Sequence, residues 1–371
     1  MNVLHICSYF ITGSFYKNLF DKLLINKIGV RVYVPTSKNV MFDASRYGEY
    51  TKIIKTHRFI DKFFFSIKIN KTYNKLNDEF CLDNYDVIHA HSLFSDGFVA
   101  LKCHKKNNKS YIVAVRNTDI NFFFRYFFFL RKRGVETLLK SKRIVVLSQS
   151  YKEQLISRYV PAKYKDEIER KTKVVTNGID DYWLIEKNQK RTPPNDEMIN
   201  ILHVANIDKN KNVLMIAKAC EQLISDGYNV TLNIVGKVVS KNIFRKINTF
   251  RFVNYHGVLT REELTKQYSC NQIFVMISKY ETFGLVYAEA MSRGLPVMYT
   301  KNQGFDGLFS QRTIGSGVEY NNVEELVKEI KFFIEKKDFS DVSNHCIKSC
   351  GIFSWKKISK TYMDIYEKAT N

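Results

Sequence analysis

Short apolar runs alternate along this chain with longer stretches whose apolar residues recur at helical spacing. "VLHICSYF", "VRVYVP", "DVIHAHS", "YIVAVRNTD" and "RIVVLSQS" read as strands, and amphipathic stretches separate them. A polar, charged stretch containing Pro193–Pro194 then interrupts the rhythm. It restarts with "INILHVAN", "NVTLNIVG", "FRFVNYHG", "QIFVMIS" and "LPVMYT". Strands that are apolar throughout, with helices between them, imply a parallel sheet covered on both faces. The expected fold class is therefore α/β, with two doubly wound, Rossmann-like domains in series. The first spans 1–180, a linker 181–198, and the second domain 199–350, leaving a final segment 351–371. Ligands in such sheets sit beyond the carboxyl ends of the strands, and two such domains facing each other would enclose a cleft.

A chain of 371 residues accommodates two domains of ordinary size. It has no uncharged apolar run of about 18 residues, so a membrane span is not expected. The opening "MNVLHICSYF" lacks a basic region ahead of its apolar run and reads as a strand, not a signal peptide. Seven scattered cysteines suggest a reducing, cytoplasmic setting rather than a disulfide framework. His345, Cys346 and Cys350 in "HCIKSC" share a helical face, but no second half-site accompanies them, and buried thiols are the simpler reading. The net charge of +21 is uneven. Residues 1–180 hold 32 Lys+Arg and 16 Asp+Glu, hence +16, and the remainder 26 and 21, hence +5. The basic half suits a polyanion, either an anionic membrane face or nucleic acid. Nucleic acid is not expected, because no recognition motif with stacking aromatics accompanies the charge.

In "KYETFGLVYAEAMSRGLPV" an apolar strand leads into a helical pattern ending at Gly294 and Pro296. Glu281 falls on the loop before the helix and Glu289 about five residues inside it, roughly 7.5 Å along the axis. Phe283, Gly284 and Leu285 would present backbone N–H groups at the helix start, an anion site that glycine lets a ligand approach closely. Paired hydroxyls of a sugar or ribose suit the two carboxylates. The plain alternative is a dipole-favoured Glu and an exposed helical Glu. The whole stretch, with its E-x7-E spacing, resembles the donor-site motif of family 4 glycosyltransferases, retaining enzymes of GT-B fold that include bacterial surface-polysaccharide enzymes. "VVTNGID", "YHGVLTREELTKQYSCNQIFV" and "FSWKKISKTYMDIY" resemble further segments of that family. The last implies a closing helix that packs back on the first domain.

The resemblance implies that Glu289 holds the ribose of a nucleotide sugar and that Glu281 contacts the donor sugar. Phe283, Gly284 and Leu285 would meet its diphosphate and sugar hydroxyls. "ILHVANIDKNKNVLMIAKA" resembles the segment supplying an arginine and, five residues later, a lysine to the donor phosphates. Lys211 stands at the lysine position, and Asn206 replaces the arginine. In "DVIHAHSLFSDGFVA", which also contains His89 and Gly97, His91 is either an acceptor-side residue or a satisfied buried histidine. "YIVAVRNTDIN" resembles a V-H-G-x-D segment, with Arg116 where the family shows a histidine near the reacting centre and Asp119 at the aspartate. Arg116 cannot act as a base but can bind a phosphate or an acidic sugar. Gly13 is the remnant of a glycine pair in the first loop, and "NQGFDGLF" is a loop beside the donor.

No D-x-D ends a strand, so neither metal nor cofactor is expected; the "IDD" at 179–181 sits at the linker. Charge on the departing diphosphate would be offset by Lys211, the helix end and Arg116. The acceptor, a glycan or lipid-linked sugar, would attack the face that the diphosphate leaves. "NFFFRYFFFLRKRG" (Asn121–Gly134) would form a helix apolar around its circumference, which reads first as a core helix. Its other reading is a helix dipping into an anionic membrane interface at the inner face of the plasma membrane, with Arg131, Lys132 and Arg133 beside the headgroups. A rival function is a catalytically silent GT-B subunit that stabilises a partner transferase, which Asn206 and Arg116 would suit.

Overall fold

In the computed structural model, residues 1–11, 13, 15–62, 64–185, 198–335 and 339–370 are described. The chain forms two compact units, Met1–Asp180 with Trp355–Asn371, and Asp181–Ser354. Most of the expected linker lies outside the described residues, although Asp181–Leu184 forms a short helix.

The first unit holds seven strands: β1 (Asn2–Ile6), β2 (Gly29–Thr36), β3 (Thr51–Lys55), β4 (Val87–Ala90), β5 (Tyr111–Val115), β6 (Arg143–Val146) and β7 (Thr172–Val174). They are parallel, in the order β3-β2-β1-β4-β5-β6-β7. The central strands are mostly apolar because helices cover both faces, and every residue of β4 and β5, His89 included, is buried. The order reverses between β1 and β4, which places a topological switch point there.

The helix Trp355–Thr370 completes this unit. Trp355, Ile358, Tyr362, Ile365, Tyr366 and Ala369 recur at three- and four-residue intervals and are all buried, packed with Phe20 and Leu23 of the helix Phe15–Ile25. At about 1.5–3 kcal/mol per large buried side chain, this face contributes on the order of 10 kcal/mol. Gly178 is required beneath it, since a Cβ there would lie 2.4 Å from the Trp355 ring. The segment expected to return begins at Trp355; Cys350–Phe353 forms a 3-10 turn that stays with the second unit.

The second unit holds β8 (Ile199–Val204), β9 (Val230–Val235), β10 (Val253–Tyr255), β11 (Ile273–Val275), β12 (Val297–Thr300) and β13 (Gly315–Val318), again parallel, in the order β10-β9-β8-β11-β12-β13. Its switch point lies between β8 and β11. Among the described residues no helix is long and apolar enough to cross a membrane.

Candidate functional site

The loops leaving β8 and β11 meet at the switch point of the second unit. Asp208 tightens the first, its Oδ1 accepting from the backbone N–H of Asn210 at 2.8 Å and of Lys211 at 2.9 Å. Asn210 then ties the loops together. Its Nδ2 donates to the Tyr280 carbonyl at 3.0 Å, its Oδ1 accepts from the Tyr280 N–H at 3.0 Å, and its own carbonyl accepts from the Lys279 N–H at 2.8 Å. The outcome is an ion pair: Lys211 Nζ lies 2.6 Å from Glu281 Oε2, both side chains largely shielded from solvent.

Glu281 is held from every side. Its N–H donates to Gln303 Oε1 at 3.0 Å, its carbonyl accepts from the Gly304 N–H at 3.2 Å, and its Oε1 accepts from the Thr282 N–H at 3.0 Å. Gly304 cannot be larger, because a Cβ would lie 1.7 Å from the Thr282 carbonyl oxygen. The loop "NQGFDGLF" therefore acts as a brace for this glutamate.

The chain next turns through Gly284, at φ 76°, into the helix Leu285–Ser292. A side chain at 284 would strain that φ and strike the Tyr287 ring at 2.4 Å. Phe283 is buried against Phe305 and Phe353, so it anchors the turn with its side chain and can offer a ligand only its backbone. Among the described residues no side chain caps this helix start, whose amide dipoles give it positive character. Glu289, five residues in and half-buried, accepts from the hydroxyl of the buried Tyr268 at 3.3 Å. Asn206 is exposed on the loop after β8. Lys211, Glu281, the Phe283–Leu285 backbone and Glu289 thus come from one strand-end cluster. The arrangement offers a cation and amide dipoles to an anion, flanked by two hydrogen-bond acceptors.

The first unit treats its candidates differently. Asp119 is fully buried, and its carboxylate accepts from the backbone N–H groups of Leu93 (3.0 Å), Phe94 (3.1 Å) and Arg116 (2.8 Å). Burial pushes its carboxyl up to about 6 against those bonds. It clamps two loops rather than facing an acceptor. Arg116 is buried at 6% exposure, with Nε donating to the His91 carbonyl at 3.1 Å and Tyr362 of the closing helix hydrogen-bonding its side chain. At least two of its five donors are thus engaged within the first unit, which makes the side chain a brace between the His91 strand end and the closing helix. His91 is fully buried too. Its Nε2 lies 3.1 Å from His5 Nδ1, and its ring stacks on His89 at 4.1 Å between centroids. Gly13 sits half-buried on the loop after β1.

His5, His89 and His91 are the one candidate metal-ligating group among the described residues. His89 Nδ1 is engaged by the Tyr366 hydroxyl at 2.8 Å, while His5 Nε2, His89 Nε2 and His91 Nδ1 are buried and, among the described residues, accept or donate no hydrogen bond. Burial holds His5 down to about 3 and the other two well below the usual range, so all three rings are neutral in the core. In the second unit, Cys346 and Cys350 are buried thiols donating to the carbonyls of Ile314 and Ala288, and His345 is exposed. Asp208, Asn210, Gln303 and Tyr268 escaped the sequence reading. The dipeptide-scale signal of an Asx turn at Asp208 was the only available clue.

Two family models divide the chain: glycosyltransferase family 4 matches residues 15–182, and glycosyl transferases group 1 matches 185–349. A protein of Klebsiella pneumoniae described as an uncharacterized 41.2 kDa protein in cps region is 27% identical over 98% of this chain and its own full length. Sucrose-phosphate synthase of Thermosynechococcus elongatus superposes with TM-score 0.76 at 16% identity, covering 99% of this chain and 98% of that one. HepE of Anabaena, in complex with UDP and glucose, gives 0.69 at 16% over 98% of both. Those two likenesses are of fold. The chain is a member of the family 4 glycosyltransferases, with the GT-B fold.

Proposed function

We propose that this enzyme is a retaining, metal-independent transferase. It moves a sugar from a nucleoside diphosphate donor to a glycan or lipid-linked sugar in the building of a surface polysaccharide. The observation that carries the reading is the 2.6 Å pair of Lys211 and Glu281 at the uncapped start of the helix bearing Glu289. An ammonium has three donors, so Lys211 can keep Glu281 and still offer N–H to a phosphate. As the bond to the diphosphate breaks, negative charge grows on its oxygens, and Lys211 with the helix amides meets that charge without reorganising. On this reading Glu289, which Tyr268 orients, accepts from a ribose, and Glu281 from the sugar. The acceptor oxygen then bonds to the anomeric carbon on the face the diphosphate leaves, its proton passing to the departing diphosphate oxygen, and the anomeric configuration is preserved. The cps-region setting of the Klebsiella relative and the UDP and glucose held by HepE agree with this substrate class.

The test is turnover of a panel of nucleotide sugars by the purified chain, with and without EDTA, and NMR of the product's anomeric centre. The proposal expects release of nucleoside diphosphate from at least one donor, unaffected by the chelator, with configuration retained. Inversion, or activity abolished by EDTA and restored by a divalent ion, would overturn the mechanism. No turnover by a folded chain that requires a second subunit would favour the silent-partner reading.

A further inference from the structure

The aromatic stretch that opens as "NFFFRYFFFL" does not form one buried helix. Asp119–Phe124 is a π-helical turn, and a new helix begins at Phe128 and runs to Lys140. The break between them divides the aromatics. Phe124 is fully buried against Phe94 and Tyr159, whereas Phe122, Tyr126, Phe128 and Phe129 are 47%, 55%, 73% and 66% exposed. Arg131 is spent on this break: its Nε donates to the Phe124 carbonyl at 2.6 Å and its guanidinium lies over the Tyr159 ring.

A second segment joins the patch. Phe59 and Ile60, in the 3-10 turn Phe59–Lys62, are 65% and 60% exposed; Phe64 and Ile67, at the start of the helix Phe65–Glu79, are 57% and 46% exposed. Phe65 meets Phe123 at 5.8 Å between ring centroids, and Phe123 meets Phe122 and Phe127 at 5.5 and 5.7 Å. The two exposed segments are therefore continuous through a chain of ring contacts. Eight large apolar side chains this exposed on two segments in contact exceed what scattered surface apolar residues explain.

Cations border them. Residues 101–143 contain 12 Lys+Arg against two acidic residues, Asp119 and Glu136, and Asp119 is buried. Beside Phe129 opens a groove of about 510 Å³, lined by Lys102, Lys105, Lys106, Lys132, Arg133 and Glu136. Glu136 is engaged by Lys105 at 2.5 Å, which leaves the groove strongly positive. Burial first, and then the like charges of Lys106 and Arg133, lower the ammonium of Lys102 from its usual value.

We propose that this face of the first unit is a docking surface for an anionic lipid bilayer, in which Phe122, Tyr126, Phe128 and Phe129, with Phe59, Ile60 and Phe64, enter the headgroup–acyl boundary and the Lys102–Arg133 groove receives a lipid phosphate. Exposed aromatics surrounded by cations match the two halves of such a surface, apolar boundary and negative headgroup. A single-stranded nucleic acid would stack its bases on such rings beside cations, but Ile60 and Ile67 offer it no stacking face, whereas a bilayer interface buries aliphatic and aromatic side chains alike. The surface is independent of the donor chemistry of the second unit, so it stands or falls separately from it.

The test uses the full chain and vesicles of phosphatidylcholine alone or mixed with phosphatidylglycerol. Flotation should show at least about tenfold stronger binding to the anionic vesicles. The pair Phe128→Ser/Phe129→Ser and the pair Lys106→Glu/Lys132→Glu should each lower that binding about tenfold or more. All four residues border solvent, so both variants should keep the wild-type circular dichroism and melting temperature. Both should also release nucleoside diphosphate from the donor in vesicle-free solution at the wild-type rate. A Phe128→Trp chain should show blue-shifted fluorescence, quenched by brominated acyl chains. Equal binding to both vesicle types, binding untouched by the serine pair, or a tryptophan that brominated chains do not quench would each overturn the proposal.

Discussion

Replacing Lys211 by methionine keeps the length of the side chain and deletes its charge, and two separable effects follow. The first is structural. Glu281 is 11% exposed in its side chain and Lys211 21%, so the pair lies between an exposed ion pair, at about 0–1 kcal/mol, and a buried one, whose rupture costs about 3–5 kcal/mol. Breaking it should cost roughly 2 kcal/mol, a fall of about 4–8 °C in Tm for a unit of this size. The second is catalytic. Losing a preorganised cation beside a departing diphosphate should lower kcat about 10²–10³-fold, or roughly 3–4 kcal/mol. A cycle through Glu281→Gln and the double variant separates the two. The double variant removes both charges, so its stability loss should be smaller than the sum of the singles by about 1–2 kcal/mol, while its turnover stays as low as that of Lys211→Met. Urea unfolding and nucleoside diphosphate release supply both readouts. Strictly additive destabilisation, or a Lys211→Met enzyme within about threefold of wild type, would refute the reasoning.

Two further outcomes follow from the same geometry. Gly284→Ala forces a side chain into φ 76° and against the Tyr287 ring, so it should lower stability by about 1–3 kcal/mol and weaken donor binding; an unchanged melt would show that the turn is not rigid. Asp96 is fully buried, accepting from Ser92 Oγ at 2.9 Å and more weakly from the Ser8 N–H, and burial raises its pKa to about 7, against about 3.9 in an unfolded chain. The folded state thus binds this proton more tightly. The stability it contributes is complete below about pH 4 and is lost as the pH rises through about 7. Asp96→Asn should therefore gain on wild type by roughly 2–4 kcal/mol between pH 4 and 8 in urea unfolding, and a constant difference would contradict the assignment.

The strands legible in the sequence were those buried on both faces. β5 and β11 are uninterrupted apolar runs, as is most of β4 and β8, and β4, β8 and β11 border the two switch points. β3, β7 and β13 were not legible. "TKIIK" has a lysine on each side of its apolar pair because β3 is an edge strand, and β7 is three residues long. "GSGV" reads as a loop, yet all four residues of β13 are buried. Gly315, at φ 146°, is a packing requirement, since a Cβ there would lie 1.9 Å from the Val297 carbonyl oxygen. In the candidate site, the strand-to-helix pattern brought Glu281 and Glu289 into view, but their roles and that of Lys211 were legible only through the resemblance to the family's donor-site segments. Asn210 was not, because its two bonds to Tyr280 cross 70 residues of sequence. Motif position located His91, Arg116 and Asp119 at strand ends but carried no information on burial, and all three proved to be interior. The aromatic run misled through composition. A continuous helix would have been apolar all round, but the π-helical turn and the break at Phe127 rotate four of its rings outward.

The central claim is that the cluster at the switch point of the second unit grips a nucleoside diphosphate, with Glu289 on its ribose. Calorimetric titration of the wild-type chain and of Glu289→Ala with nucleoside diphosphates tests it most directly. Glu289 is half-buried and its Tyr268 contact is long, so the variant should keep its fold. The account predicts one site per chain for at least one diphosphate and an affinity about 10–100-fold weaker in the variant, as expected for loss of a charge-assisted hydrogen bond. Equal affinity in the two chains, or no binding by the wild type, would contradict it.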